Sequence, residues 1–320
     1  MRILALVPGG IGDQILFFPT LDDLKRNYPE AQIDVIVEPR AKGAYRVCKS
    51  LHEVIPFDFK NRNGMADWGN LLGIMRDREY DLALSLGRSW GVGFMLWLTG
   101  ISTRVGYGGG AGANFLSNPA PLKTEQYAAY MYHDLLQGLG INSPCPDLAV
   151  NVPKTDIDWA EAEQKRLEIK ETGYILIHGG SSQLSQSKGV DKIYPVKKWQ
   201  QIIEDIQQRQ PNLPIVIVKG PEDEEFVNTL MQSSPGVKVT APSDIGKLAA
   251  MIAGANLMLC TDSAPMHLAV AVGTYLIALF GPTEAKKLLP LSDRCIGLQS
   301  PTRSIADISP ADVLEQIWRG

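Results

Sequence analysis

The chain has 320 residues, a length that favours two hydrophobic cores over one. Hydrophobic residues make up 45% and charged residues 21%, which is ordinary for a globular protein, and no segment is poor enough in apolar residues to predict disorder. The formal net charge of -4 argues against sequence-independent nucleic-acid binding, because that affinity depends on Lys and Arg neutralising phosphates.

The N-terminus and the cysteines bear on the cellular compartment. The apolar run in MRILALVPGG meets glycine too early for a secretory signal or a membrane span. The four cysteines form no CxxC pair, which argues against a zinc knuckle and against a disulfide framework. We therefore expect a cytosolic protein.

Short β-branched runs alternate with stretches of helical length in the first half of the chain. This alternation predicts βαβ units and a parallel sheet that is covered on both faces. The predicted strands are 2–7, 33–37, 54–57 and 82–86, and the predicted helices are 12–28, 41–49, 65–77, 91–99 and 124–139.

A segment rich in proline and polar residues, 141–156, interrupts this pattern and indicates a domain boundary. The alternation resumes with a predicted helix at 157–169 and strands at 174–177, 215–218, 237–239, 257–260 and 275–280. A last helix is predicted from Ser309 as its cap, with Pro310 at the first helical position. The predicted division is an N-terminal domain at 1–145, a linker at 146–156, a C-terminal domain at 157–308 and the last helix at 309–320. Both domains are predicted to be Rossmann-like, doubly wound α/β units.

Ligands of open α/β sheets bind beyond the carboxyl ends of the strands, so the loops after the strands are the candidate sites. The first loop contains Gly9, Gly10 and Gly12, followed by Asp13 at the predicted start of a helix. Glycines let a backbone approach a ligand closely, and a carboxylate at this position would face the ligand. The loop lacks the third glycine of the dinucleotide fingerprint and the Lys-Ser/Thr pair of a P-loop. In the alternative interpretation Asp13 only complements the helix dipole.

The second loop, IHGGSSQLSQSKGVDKIYP, combines backbone amides, hydroxyl groups and the cations Lys188 and Lys192. These groups suit phosphate oxygens. A solvated loop is the alternative, although a loop of this length is unusual in a compact unit without a task.

The third loop carries four acidic residues after a strand: Glu222, Asp223, Glu224 and Glu225. Acids in a first helical turn usually only stabilise the helix. One of them could nevertheless accept hydrogen bonds from a ribose diol.

The fourth loop places Asp262 and Ser263 at the end of a buried strand. A helix that starts just after them would direct its free amides toward an anion. His267 could reach the same site or could be a structural histidine. The next strand ends in FGPT, which places Gly281 and Thr283 at another carboxyl end.

At this fourth loop, T-D-S-A-P-M-H-L-A-V-A-V-G-T…A-L-F-G-P-T resembles the signature of glycosyltransferase family 9, the lipopolysaccharide heptosyltransferases and their relatives. The segments G-G-I-G-D-Q…P-T-L and K-I-Y-P-V-K-K-W are similar to two further motifs of the family, so the resemblance spans nearly the whole chain. The chain departs from the family pattern at Ala264 and Tyr194, where the family has Gly and Trp. The loop between His178 and Lys192 is also longer than in typical heptosyltransferases.

The resemblance implies a GT-B architecture, in which two Rossmann-like domains face a cleft, the first binding the acceptor and the second the nucleotide sugar. It implies an inverting, metal-independent transfer of heptose or a related sugar to a lipopolysaccharide-type or other glycan acceptor. No cofactor is expected beyond the nucleotide-diphosphate sugar, such as ADP-heptose, as co-substrate.

The resemblance also assigns roles to residues. Asp13 matches the family's general base, and Lys192 matches the lysine that neutralises the pyrophosphate. Glu222 matches the acid near the ribose. The remaining candidates are Gly10 and Gly12 on the acceptor side, and Gly179, Ser181, Ser182, Lys188, Asp262, Ser263, His267, Gly281 and Thr283 on the donor side.

Two other functions stay open. A nucleotide-sugar epimerase or dehydrogenase would have the full glycine fingerprint, which is absent. A non-catalytic nucleotide-sugar-binding protein would be expected to lose Asp13, which is present. The expected partners are a nucleotide-sugar donor and a glycan or lipid-linked acceptor, without nucleic acid. We expect a monomer in the cytoplasm. The family implies an acceptor at the inner membrane, and hence peripheral association at the inner face of the cytoplasmic membrane.

Overall fold

The computed structural model describes residues 1–59, 64–180 and 192–319. The chain divides into two compact units, Met1–Asn151 and Val152–Gly320. This division lies inside the segment predicted as the linker, and the first helix of the second unit begins within that segment, at Lys154.

The first unit contains a six-stranded parallel sheet. Its strands are β1 (Arg2–Val7), β2 (Gln32–Val37), β3 (Glu53–Pro56), β4 (Leu82–Ser85), β5 (Thr103–Tyr107) and β6 (Asn118–Ala120). Its α-helices are α1 (Ile11–Asn27), α2 (Met65–Asp77), α3 (Trp90–Leu98) and α4 (Ala128–His133), with 3₁₀ helices at Pro39–Val47, Ala111–Phe115 and Asp134–Leu139. The strand order is β3-β2-β1-β4-β5-β6, which places the reversal of strand order, and hence the expected ligand site, between β1 and β4.

The second unit repeats this topology. Its strands are β7 (Ile175–His178), β8 (Ile215–Val218), β9 (Lys238–Thr240), β10 (Leu257–Thr261), β11 (Leu276–Phe280) and β12 (Cys295–Gln299). Its helices are α5 (Lys154–Arg166), α6 (Val196–Arg209), α7 (Glu224–Ser233), α8 (Ile245–Ala253), α9 (Ala264–Val272), α10 (Ala285–Leu288) and α11 (Pro310–Trp318), with a 3₁₀ helix at Ile305–Asp307. The strand order β12-β11-β10-β7-β8-β9 is the first order read from the other edge, so the reversal lies between β7 and β10.

Each unit has its own hydrophobic core, because both faces of its sheet are covered by helices. In the first unit the core joins strand residues such as Leu4 and Ile36 to Met75 of α2. In the second unit the buried stripe of α6, which includes Trp199 and Ile203, packs on the sheet. Two separate cores of this kind are what a chain of this length was expected to form.

The last helix packs within the second unit. Ser309 accepts a hydrogen bond from the Asp312 backbone N–H at 3.1 Å, as expected of the cap, and Val313 is buried in the core. The Trp318 indole N–H donates to Asp205 of α6 at 2.9 Å. These contacts give α11 the docking site that its sequence alone did not specify.

Some predicted elements differ from the structure for identifiable reasons. The helix predicted at 124–139 is α4 followed by a 3₁₀ helix. The carbonyls of Met131 and Gly138 accept side-chain hydrogen bonds from Tyr107 and Asn118, and these tertiary bonds compete with a regular helix. The helix predicted at 41–49 is the 3₁₀ helix Pro39–Val47, and β5, β6, β12, α8 and α10 were not predicted.

Candidate functional site

Asp13 lies in the first turn of α1, directly after the glycine-rich turn that follows β1. Its Oδ2 accepts a hydrogen bond from the Gly10 backbone N–H at 2.7 Å, an arrangement that stabilises the start of a helix. Its Oδ1 accepts a second hydrogen bond from the Tyr132 hydroxyl at 2.9 Å. The half-buried carboxylate is therefore oriented at both oxygens, and each oxygen keeps capacity for a further hydrogen bond.

Sequence reasoning did not identify Tyr132, which lies on α4, 119 residues from Asp13. Burial raises the pKa of the Tyr132 hydroxyl well above its ordinary value, and the negative charge of Asp13 adds to this rise. The hydroxyl therefore stays protonated at neutral pH and donates a hydrogen bond to Asp13. Tyr127 and Tyr130 stand close by in the sequence, and only the fold shows which tyrosine reaches the carboxylate.

The buried Gln14 fixes the backbone of the same loop. Its Nε2 donates to the carbonyl oxygens of Val7 at 3.0 Å and Gly9 at 3.4 Å, and its Oε1 accepts from the Tyr45 hydroxyl at 2.7 Å. A Cβ at Gly9 would lie 2.5 Å from the Asp13 Cβ, which no real contact allows. Gly9 is therefore required for the Asp13 side chain to fold back over the loop.

The two glycines predicted on the acceptor side have different positions. Gly10 donates its N–H to Asp13, and a Cβ there would lie 3.9 Å from the Asp13 Oδ2, an ordinary contact. Gly12 is half-buried in the first turn of α1. Both stand beside Asp13, and position 10 does not need a glycine to avoid a clash with Asp13.

Three predicted donor-site residues meet at the end of β10. The buried Asp262 carboxylate accepts hydrogen bonds at its Oδ2 from the Lys192 ammonium at 2.5 Å and from the Thr283 hydroxyl at 2.7 Å. The chain thus brings together the loops that follow β7, β10 and β11. Because an ammonium group has three donors, Lys192 can bind Asp262 and still bind a phosphate oxygen.

A second polar group lies next to it and includes two residues that sequence reasoning did not place in the site, His178 and Asp223. The Ser263 hydroxyl lies 3.2 Å from His178 Nδ1, and His178 Nε2 lies 3.5 Å from Asp223 Oδ2. Burial by itself would raise the pKa of Asp223, but the hydrogen bond and charge of His178 and the Gly220 N–H together hold that pKa below its ordinary value. Asp223 is therefore an anion that orients His178, which in turn contacts Ser263 at the start of α9.

Other predicted donor-site residues have separate surroundings. Glu222 is exposed on the turn before α7, whereas its neighbour Asp223 is buried. His267 is buried in α9. A Cβ at Gly179 would lie 2.7 Å from the Trp199 indole nitrogen, and one at Gly281 would lie 2.7 Å from the backbone nitrogen of Ile305. Packing therefore explains both glycines without a ligand. Ser181, Ser182 and Lys188 lie outside the described residues.

Another charged cluster lies at the opposite, amino-terminal edge of the first sheet. The fully buried Asp34 accepts hydrogen bonds from Tyr80 at 2.6 Å, from His52 at 2.8 Å, and from Arg2 and Arg78 at 3.2 Å each. Burial by itself would raise the pKa of Asp34, but these partners hold it below its ordinary value. Asp34, His52 and Glu53 are close enough to bind a cation, but the two arginines already neutralise the carboxylates. The cluster therefore serves stability.

The comparisons with known proteins agree with this topology. The profile of glycosyltransferase family 9 (heptosyltransferase) matches residues 69–317. The structure of Escherichia coli ADP-heptose lipopolysaccharide heptosyltransferase II superposes with a TM-score of 0.80 at 20% identity, covering 99% of this chain and 97% of that one. The fold is thus the GT-B fold, two Rossmann-like domains in one chain. The chain belongs to glycosyltransferase family 9 and is a heptosyltransferase-like enzyme.

Two curated relatives extend the likeness over the whole chain. Lipopolysaccharide heptosyltransferase 3 of Escherichia coli is 26% identical over 322 aligned positions, covering 92% of this chain and 90% of the relative. The photosynthetic NDH subunit of subcomplex B 1 of the Arabidopsis thaliana chloroplast is 28% identical over 347 aligned positions, covering 100% of this chain and 74% of the relative. The similar proteins therefore include both transferases and a protein named as a subunit of a larger complex.

Proposed function

We propose that this chain is an inverting, metal-independent glycosyltransferase that moves heptose or a related sugar from a nucleotide-diphosphate donor to a lipopolysaccharide-type or other glycan acceptor. Family membership supports the class of enzyme. The observation that carries the proposed chemistry is the Asp13 carboxylate, which is held by two donors at the end of β1 and is partly accessible.

In the proposed reaction a hydroxyl oxygen of the acceptor attacks the anomeric carbon of the donor sugar. Asp13 takes the hydroxyl proton as the new C–O bond forms. The bond from the anomeric carbon to the β-phosphate oxygen breaks, and its electron pair leaves with the nucleoside diphosphate. Attack from the side opposite the leaving group inverts the anomeric configuration.

The leaving diphosphate gains negative charge that the protein must stabilise. The Lys192 ammonium is one source of positive charge, and the positive end of the α9 helix dipole, next to Asp262, is another. Asp262 and Thr283 position Lys192, while Asp223 and His178 position Ser263. These groups can donate hydrogen bonds to the leaving diphosphate without a metal ion, which supports the metal-independent mechanism.

The proposed setting is the cytoplasm, where a monomer would act at the inner face of the membrane on a lipid-linked or polysaccharide acceptor. Within the described ranges 1–59, 64–180 and 192–319, no helix combines the length and the apolar character needed to cross a bilayer.

The test compares the wild type with Asp13→Asn on a panel of nucleotide-diphosphate sugars, with and without a chelator. We expect the variant to keep the donor-induced rise in melting temperature and to lose turnover by about a hundredfold or more, because it loses the general base. Asp67→Asn is a matched control, since the Asp67 carboxylate accepts the Gly64 N–H at 2.9 Å in the same capping arrangement on α2. Loss of turnover in Asp67→Asn, or turnover that the chelator abolishes, would contradict the mechanism.

The Arabidopsis relative favours a second candidate function, in which the chain is a non-catalytic, nucleotide-sugar-binding subunit of a larger assembly. This function predicts that no donor on the panel is turned over and that Asp13→Asn changes nothing. It also predicts that, in size-exclusion chromatography of a cell extract, the native protein elutes at an apparent mass far above its own 35.0 kDa. A nucleotide-sugar-modifying enzyme would instead consume the donor without any acceptor and give an altered sugar nucleotide.

A further inference from the structure

An exposed set of aromatic side chains covers the outer side of α3. Trp90 and Trp97 are 55% and 52% exposed although both are large and apolar. Phe94 stacks between them, with ring centroids 5.0 Å from Trp90 and 5.9 Å from Trp97, and Phe115 meets Phe94 edge-on at 5.5 Å. Leu98 is also exposed. We call these five residues the aromatic face.

The aromatic face belongs to a helix that carries no charged side chain. Its inner side is already buried, because Val92, Met95 and Leu96 pack in the core of the first unit. The exposed residues are therefore not needed to attach α3 to the sheet. Apolar surface concentrated in this way on an otherwise ordinary protein indicates an interaction site.

The charged residues of the chain segment that carries the aromatic face are all basic. Between Leu82 and Thr124 the chain contains no aspartate and no glutamate, although the whole protein has 35 acidic residues and a net charge of -4. The charged residues of this segment are Arg88, Arg104 and Lys123. Arg88 directly precedes the cap of α3, is exposed, and forms no ion pair with any carboxylate in the part of the chain that the structure describes.

Arg104 lies at the other end of the aromatic face. It donates to the backbone carbonyls of Phe115 and Ile101, which leave its positive charge uncancelled. Lys123 pairs with Asp134 at 3.3 Å and adds little. The surface is thus aromatic in its middle, with arginines next to it.

We propose that the aromatic face of α3 docks on the interfacial region of an anionic lipid bilayer. Tryptophan prefers this region because its ring is apolar and its N–H can reach water or headgroups. The exposed Arg88 beside it gains from negative headgroups. A lipid surface fits this combination of tryptophans and an unpaired arginine, because no aspartate or glutamate of the same chain segment would be repelled by anionic headgroups.

The position of the aromatic face in the first unit also indicates what docking would do for catalysis. This step of the argument, and no other, rests on the proposed function. α3 follows β4 and Asp13 follows β1, and these adjacent parallel strands end at the same edge of the sheet. The start of α3, with Arg88 and Trp90, therefore lies at the edge where the proposed base acts, and a bilayer bound there would concentrate lipid-linked acceptors near that edge.

The test measures sedimentation of the full chain with vesicles of phosphatidylcholine that contain phosphatidylglycerol, and with vesicles of phosphatidylcholine alone. We expect the wild type to bind the anionic vesicles more tightly. The double variant Trp90→Ser/Trp97→Ser should bind them at least about tenfold more weakly, because two interfacial anchors are lost. Arg88→Gln should weaken binding to anionic vesicles about fivefold and leave binding to neutral vesicles unchanged.

Tyr275→Ser is the matched control, because Tyr275 is 51% exposed but lies in the second unit, between α9 and β11. It should bind vesicles like the wild type. Circular dichroism and melting temperature check that each variant is folded, and Arg88→Gln provides a test that does not remove apolar surface.

Three results would overturn the proposal: no wild-type binding to either vesicle, full binding by the double variant, or a wild-type dimer by light scattering that the double variant breaks. The last result would assign the face to a second copy of the chain. Donor hydrolysis in water keeps the two proposals apart. The double variant should hydrolyse a donor normally if the chain turns one over, and Asp13→Asn should bind vesicles normally even if it is inactive.

Discussion

At the scale of single residues, the candidate base depends on a partner that is remote in sequence. The Tyr132 hydroxyl and the Gly10 N–H hold the two oxygens of Asp13. The tyrosine stays protonated because burial and the adjacent carboxylate both raise its pKa. Tyr132 is therefore a positioning residue that acts through Asp13.

Removal of the Tyr132 hydroxyl should lower turnover more than binding. A hydrogen bond to a charged group contributes about 1.5 kcal/mol, so we expect Tyr132→Phe to reduce kcat about tenfold while the KM for the donor changes less than about twofold. Tyr107→Phe is the matched control, because the Tyr107 hydroxyl donates to the Met131 carbonyl on the same helix and not to Asp13. Equal losses of kcat in the two variants would show that the hydroxyl only stabilises α4.

A second residue-scale prediction concerns Asp34 and stability. Asp34→Asn leaves the partly buried partners Arg2 and Arg78 without this charge, and we expect unfolding to cost about 2 kcal/mol less at neutral pH. The folded-state pKa of Asp34 is lowered, so its contribution is present above the ordinary value of 3.8 and is lost as the pH falls through the lower folded value. The difference between wild type and variant should therefore shrink below pH 3.8.

Urea unfolding over a range of pH measures this difference. Asp81→Asn is the control at the same edge of the sheet, where the exposed Asp81 carboxylate accepts the Arg2 backbone N–H at 2.7 Å. It should cost less than about 1 kcal/mol, as is usual for exposed groups. A constant difference between wild type and Asp34→Asn at every pH would rule out the ionised carboxylate as the cause.

At the scale of elements, the turn between β1 and α1 fixes the geometry of the site. The Gln14 side chain donates a hydrogen bond to the Gly9 carbonyl, and the Asp13 side chain packs against the Gly9 backbone. An added methyl group at Gly9 must displace the Asp13 side chain.

Gly9→Ala should therefore lose most activity, about tenfold or more in kcat, with a melting temperature that falls by only a few degrees. Gly10→Ala is the matched control, because its Cβ would lie 3.9 Å from the Asp13 Oδ2. We expect that variant to keep activity within about threefold of the wild type. Activity that is equal in the two variants would mean that the position of Asp13 does not limit turnover.

Elements were predictable from sequence where burial imposes a regular period. The runs that form β1, β7 and β10 are apolar because both faces of a parallel sheet are covered, and this pattern needs no tertiary information. β6 is only Asn118–Ala120 and contains a proline, so its pairing with β5 is visible only in the fold.

The same limit holds for the site. Loops after buried strands could be identified, and Lys192, Asp262 and Thr283 do meet there. Tyr132 could not be chosen, because its distance from Asp13 along the chain leaves no local pattern. Among the acids after β8, sequence reasoning favoured Glu222, whereas the buried carboxylate that contacts His178 is Asp223.

At the scale of the whole molecule, two sheets of identical strand order occur one after the other in the chain. Each has its own core, and each of the two units is compact by itself. The proposed catalytic groups are divided between the units, with Asp13 in the first and Lys192 and Asp262 in the second.

The second unit should therefore fold without the first. We expect residues 152–320, produced alone, to unfold in urea in a single cooperative transition. Under the proposed function, a nucleoside diphosphate at about a hundredfold excess over its dissociation constant should stabilise them by about 2.7 kcal/mol. Residues 1–151 are the control and should not respond to the nucleotide. If only residues 1–151 responded, the donor would bind the first unit, and its proposed place in the second unit would be wrong.

The carboxylate at position 13 has an evolutionary consequence, because the group proposed to take a proton also satisfies an amide at the beginning of α1. A descendant that abandoned transfer would still benefit from an acid there, since its loss would cost folding stability. The presence of Asp13 is thus a poor indicator of catalytic activity among such descendants. Tyr132 of α4, whose hydroxyl binds Asp13, is the better residue to compare when active and inactive members of the family are to be told apart.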